Sequence, residues 1–134
     1  MANPNKVAGF RVDPDQSPRL WKAQHTFISA QMLQNAGHYD CAANRYYYTM
    51  IHVAYAYVRE PDERKERWQH GDLLGEYVRN HDRQAQEACS RSQSKRDKAD
   101  YSPIRVTDKD IAKLIEPVTE SLIRALRKMV SNEN

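Results

Sequence analysis

Long apolar runs, glycine, cysteine and charge of one sign are all scarce in this chain of 134 residues, and each scarcity excludes a class of protein. No stretch approaches the roughly 18 apolar residues a membrane-spanning helix needs, and the polar first fifteen residues, with Pro4 and Pro14, do not resemble a secretory leader. A cytoplasmic protein with no membrane contact is the expectation. Four glycines and six prolines leave few interruptions, which favours helices. There is no glycine-rich phosphate loop and no serine-centred nucleophile elbow, so nucleotide hydrolysis of the P-loop type and serine-hydrolase chemistry are excluded. The two cysteines, Cys41 and Cys89, lack metal or redox spacing and read as reduced, buried thiols. The five histidines show no His-x-x-x-His or Cys/His pattern either, so neither a metal nor a cofactor is expected. The 21 basic and 18 acidic residues are scattered, giving a net charge of +3 and an isoelectric point near 8.9. That balance permits an anionic ligand but supplies no dedicated nucleic-acid tail.

The length suits one domain with one core. Residues 1–16 lack periodicity and read as an irregular N-terminal arm; a single helical domain is expected over 17–131. Ser17-Pro18 reads as a helix start, Leu20, Trp21, Phe27, Ile28 and Met32 share a face, and Gly37 supplies the stop. A second helix over 39–58 has apolar and aromatic residues all round its axis, which marks a central helix. The charged segment 60–67 reads as a solvated loop or exposed turn. A short third helix is expected over 71–80 and a fourth over 83–98. The fourth carries a stripe of small residues, Ala85, Ala88, Cys89 and Ser92, whose continuation at 100° per residue turns Arg96 inward. The fifth opens with Thr107 and Asp110, a relative of the capping box, and is amphipathic through Ile111, Leu114, Val118, Leu122 and Leu126. The fold class is therefore all-α, an antiparallel four-helix bundle with an additional short helix.

Two segments carry more chemistry than packing requires. On the central helix, Asn44-Arg45-Tyr46-Tyr47-Tyr48-Thr49-Met50-Ile51-His52 combines an arginine, three tyrosines and a histidine. Seven residues separate Arg45 from His52, which places them about 20° apart around the axis but about 10 Å apart along it. Another helix or a ligand would have to bridge them. At least one of the three tyrosines must be ordinary core, since they cannot all face one way. The second segment, Arg96-Asp97-Lys98-Ala99-Asp100-Tyr101-Ser102-Pro103, ends the fourth helix, with Asp100 as the natural counter-charge for an inward Arg96. Lys95 and Lys98 are explained by the helix dipole; Arg96 is not.

Taken together, Gly37-x-Tyr39-Asp40, Asn44-Arg45-x-Tyr47-Tyr48-x-x-x-His52 and Arg96-x-x-Ala99-Asp100-Tyr101-x-Pro103 resemble the HEPN superfamily over roughly residues 19–129, most closely its stand-alone bacterial and archaeal members. The resemblance implies a helical bundle that often forms a homodimer and often partners a minimal nucleotidyltransferase in toxin–antitoxin pairs. It also implies that catalytic members are metal-independent endoribonucleases, carrying an arginine, four to six residues, and then a histidine late in the core. Here the matching arginine is Arg96, and Tyr101 stands where the histidine is due. Three readings follow. In the first, Asn44, Arg45, Tyr48, His52, Arg96, Asp100 and Tyr101 line a cleft for a nucleotide, RNA or a partner protein. In the second, His52 is a general base and Arg96 a phosphate stabiliser of a degenerate ribonuclease. In the third, the polar groups only fix the fourth helix against the second.

Overall fold

The helix with apolar residues on every side becomes the axis of the molecule. In the computed structural model, which describes residues 6, 7, 9–58 and 69–133, it is α2, Tyr39–Tyr57. Ala42, Ala43, Tyr46, Tyr47, Met50, Val53 and Ala54 are all buried along it. α1, Pro18–Asn35, lies antiparallel to it. The turn between them needs a left-handed residue, supplied by Gly37 at φ +82°, and the His38 N–H closes it on the Leu33 carbonyl at 2.8 Å. Polar groups between these helices find partners in each other. Thr26 Oγ1 and Thr49 Oγ1 lie 3.0 Å apart, and the Tyr46 hydroxyl donates to Gln34 Oε1 at 2.6 Å. Ser17 precedes α1 as expected, but its side chain makes no capping bond; Pro18 instead presets the first turn.

After α3, His70–Asn80, a 3-10 turn over Arg83–Ala85 leads into α4, Gln86–Tyr101. Asp82 caps the turn by accepting the Gln84 N–H at 3.1 Å. The small-residue stripe works as the spacing predicts: Ala88, Cys89 and Ser92 are buried, and α4 packs closely on α2. α5, Asp108–Glu133, completes the set, so α1, α2, α4 and α5 form the antiparallel four-helix bundle and α3 is the extra short helix. Its start is a reciprocal capping box, with the Thr107 N–H on Asp110 Oδ2 (2.9 Å) and the Asp110 N–H on Thr107 Oγ1 (3.3 Å). Pro117, inside α5, has no N–H to give the Lys113 carbonyl. Arg91 of α4 donates to that carbonyl across the interface at 3.0 Å, which turns a helix defect into an α4–α5 contact.

Two expectations are corrected. The arm read as irregular carries a minimal antiparallel hairpin, Lys6–Val7 with Phe10–Arg11, turned by Gly9 at φ +83°. Gln24 Nε2 ties it to α1 by donating to the Phe10 carbonyl at 3.0 Å, and Val12 is buried behind it. Strands of two residues are too short to show alternation, so no sequence pattern announces them. Of the two cysteines only Cys89 is buried, its thiol pushed up to about 12 by desolvation and by the nearby Asp82 charge. Cys41 is exposed because it falls on the outward face of α2. The charged segment 60–67 lies outside the described residues.

Candidate functional site

The last two turns of α4 meet the first half of α2 and the start of α3. Close packing permitted by Ala88, Cys89 and Ser92 brings the helices together, and the 100° step then directs Arg96 at α2. Its guanidinium carbon sits 5.1 Å from the centre of the Tyr47 ring and 5.5 Å from that of Tyr101. The two rings differ in setting: Tyr47 is buried, whereas Tyr101 is 74% exposed. Arg96 Nε lies 3.1 Å from Asp100 Oδ2, and Nη1 donates to Asp97 Oδ1 at 3.4 Å. The Nε–Asp100 contact is close in distance but not aligned as a hydrogen bond, so it is an ion pair held by charge. Asn44 Nδ2 donates to the same Asp100 oxygen at 3.4 Å.

Behind Arg96 the network continues into α3. The Tyr47 hydroxyl and His70 Nδ1 are hydrogen-bonded at 3.0 Å, and Tyr48 meets both rings edge-on, 5.3 Å from Tyr47 and 5.9 Å from His70. Burial pushes the Tyr47 phenol up to about 12, against the pull of the Arg96 charge. Burial and then Arg96 hold His70 below its ordinary value, so the ring is neutral at pH 7. Three helices thus assemble a continuous cluster of Asn44, Tyr48, His70, Arg96, Asp100 and Tyr101 around the buried Tyr47 ring. An arginine with one face on a buried ring is presented with little rotamer freedom left to lose. The exposed Tyr101 ring beside it can stack on a planar group.

The residues expected at a site are divided by this geometry. Asn44, Tyr48, Arg96, Asp100 and Tyr101 come together. Arg45 does not: one residue on from Asn44 it is turned by 100°, and its side chain is exposed on the outer face of α2. His52 lies one helical turn beyond Tyr48, towards the start of α1. There burial, followed by the charges of Arg19, Lys22 and His70, lowers it to about 4. Its Nδ1 is buried without a hydrogen-bond partner. His70 is absent from the sequence reading, and Tyr47 enters it only through the tyrosine run and the motif, not as a site residue. Tyr47 could have been found as the ring on the inner side of the tyrosine run. Nothing local marks His70, since its partner Tyr47 lies 23 residues away in sequence.

Among the described residues no three His, Cys, Asp or Glu side chains are gathered to hold a metal. None of the described helices is long and apolar enough to cross a membrane. Comparison with curated proteins and with solved structures returns no match. A family model, the HEPN domain, matches residues 18–129, which takes in every helix from the start of α1 to the last turns of α5. On that match the chain belongs to the HEPN domain family.

Proposed function

We propose that this HEPN-type helical module binds a phosphate-bearing ligand, a nucleotide or an RNA segment, at the surface where α4 ends against α2 and α3. The observation that carries the reading is Arg96, held 5.1 Å above the buried Tyr47 ring and 5.5 Å from the exposed Tyr101 ring. A guanidinium presented on a rigid ring recognises phosphate oxygens bidentately, and an exposed tyrosine next to it takes a base by stacking. Isothermal titration of folded protein with nucleotides and a panel of short RNAs tests it. Saturable binding that Arg96→Ala removes is the expected result; absence of binding to the wild-type protein would overturn the reading. Docking of a protein partner, whether a nucleotidyltransferase or a second copy of the chain, is the competing use of the same surface.

A second reading, metal-independent RNA cleavage, is supported by one observation. Although Tyr101 replaces the expected histidine, His70 reaches the Arg96 network from another helix through Tyr47, and its lowered pKa leaves it unprotonated at neutral pH. That reading prefers His70 over His52 as the base. It predicts growth arrest and degraded RNA on expression, relieved by His70→Ala; intact RNA in arrested or growing cells would count against it.

A further inference from the structure

At the opposite end of α3, an aromatic and cationic pocket of about 310 Å³ opens between His81 and the second half of α5. Its volume is at the lower end of the range small-molecule sites occupy. Tyr77 and His81 line it, stacked at 6.0 Å and 13°, and behind them Tyr57 stacks on Tyr77 at 6.3 Å and 28°. The inner two are anchored, Tyr77 by burial and Tyr57 by a hydrogen bond to the Ala125 carbonyl. His81 is the exposed end of the ladder.

The facing wall is basic. Arg124 is already balanced, donating to Asp82 Oδ2 at 2.9 Å and to Ser121 Oγ at 3.1 Å, while Asp82 is held in place by the turn it caps. Lys128 is set over the Tyr57 ring, its Nζ 4.7 Å from the centroid, and Arg127 also lines the opening. Neither Arg127 nor Lys128 has an acidic partner among the described residues. The pocket therefore presents two cations with no carboxylate partner among the described residues, opposite a ring with an open face. Charge of that size is suited to a dianion, and the open ring to a planar group.

We propose that this pocket is a second ligand site, taking a phosphate monoester that carries a planar heterocycle, with Arg127 and Lys128 on the phosphate and His81 stacked on the ring. It is independent of the reading at Arg96. α3 spans 11 residues between His70 and Asn80, so the two sites are separated by roughly 16 Å of helix.

The test is a two-dimensional NMR titration of the full chain carrying Arg96→Ala, which silences the first surface, with AMP, ribose 5-phosphate and inorganic phosphate as probes. AMP is expected to bind saturably, shifting resonances of Tyr57, Tyr77 and His81, and to bind more tightly than ribose 5-phosphate. Adding Arg127→Ala with Lys128→Ala, both at exposed positions, should weaken AMP by at least about tenfold, the loss of one charge-assisted contact. His81→Ala should erase the advantage of AMP over ribose 5-phosphate while leaving phosphate affinity in place. No saturation by any probe, or equal affinity with and without Arg127 and Lys128, would overturn the site. Equal affinity for AMP and ribose 5-phosphate would overturn the assignment of the ring.

Discussion

Two faces of the same two turns of α4 carry similar charges to different ends. On the α5 side, Lys95 and Lys98 both donate to Asp110, at 3.0 and 2.8 Å, and Asp110 also receives the Thr107 N–H. Every lone pair in use there is matched by a donor, and the carboxyl is held well below its ordinary range, first by Lys98 and the Thr107 N–H. On the α2 side, Arg96 has a carboxylate at 3.1 Å without hydrogen-bond alignment, one weak bond at 3.4 Å, and a ring on either side. The first face is closed on itself and locks two helices. The second is positioned but unfinished, and guanidinium donors short of aligned acceptors beside an exposed tyrosine are what a phosphate-bearing ligand would complete. A charge run read only as a sum would not separate them; the 100° step does.

The largest effect expected from breaking the closed face is at Asp110. Asp110→Ala removes a cap and the shared acceptor of two lysines, and should lower unfolding free energy in urea by about 2 kcal/mol while leaving affinity for any ligand of the Arg96 surface unchanged. A loss of ligand affinity with unchanged stability would reverse the assignment of the two faces.

The pH response sharpens the contrast next. His52 is lowered from 6.5 to about 4, so between those values the unfolded chain binds more protons than the folded one. Stability is then fully present above pH 6.5 and declines as the pH falls towards 4. After discounting for partial exposure the decline is on the order of 1 kcal/mol. Chemical denaturation at pH 7 and pH 5 should show it, and His52→Gln should flatten the difference. A slope of the opposite sign would mean that the imidazolium has a partner in the fold.

The smallest effect is expected from Arg45. It is exposed and outside the network, so Arg45→Ala should change melting temperature by an amount equivalent to less than about 0.5 kcal/mol and should not alter binding at the Arg96 surface. A large loss of binding would enlarge the site to the outer face of α2.

How much of this was legible beforehand depends on the range of the interaction. Helix extents, the central position of α2, the inward turn of Arg96 and the Thr107–Asp110 cap are all set within a few residues, where periodicity and capping chemistry apply. The pairing of Arg96 with Asp100 is also local, four residues apart on one helix. What escaped was long-range or too short. Arg45 and His52 share a stripe in a helical projection, yet α1 covers one edge of it and leaves Arg45 in solvent and His52 among the cations of α1. His70 joins Tyr47 across 23 residues of sequence, beyond the reach of periodicity. The N-terminal hairpin has strands shorter than any pattern, and the Arg91 bond to Lys113 follows from Pro117 only once α4 and α5 are known to touch.

On the proposed function, Arg96 is a ligand group held by two rings, and not merely one positive charge among many at a helix end. The most direct measurement is the affinity of Arg96→Lys for the tightest-binding nucleotide or short RNA, compared with wild type by isothermal titration. Lysine keeps the charge but not the planar fork that stacks on Tyr47 and grips phosphate from two nitrogens. A loss of about tenfold or more is expected, on the order of one charge-assisted hydrogen bond, with no change in melting temperature. Equal binding by Arg96→Lys and wild type would contradict it.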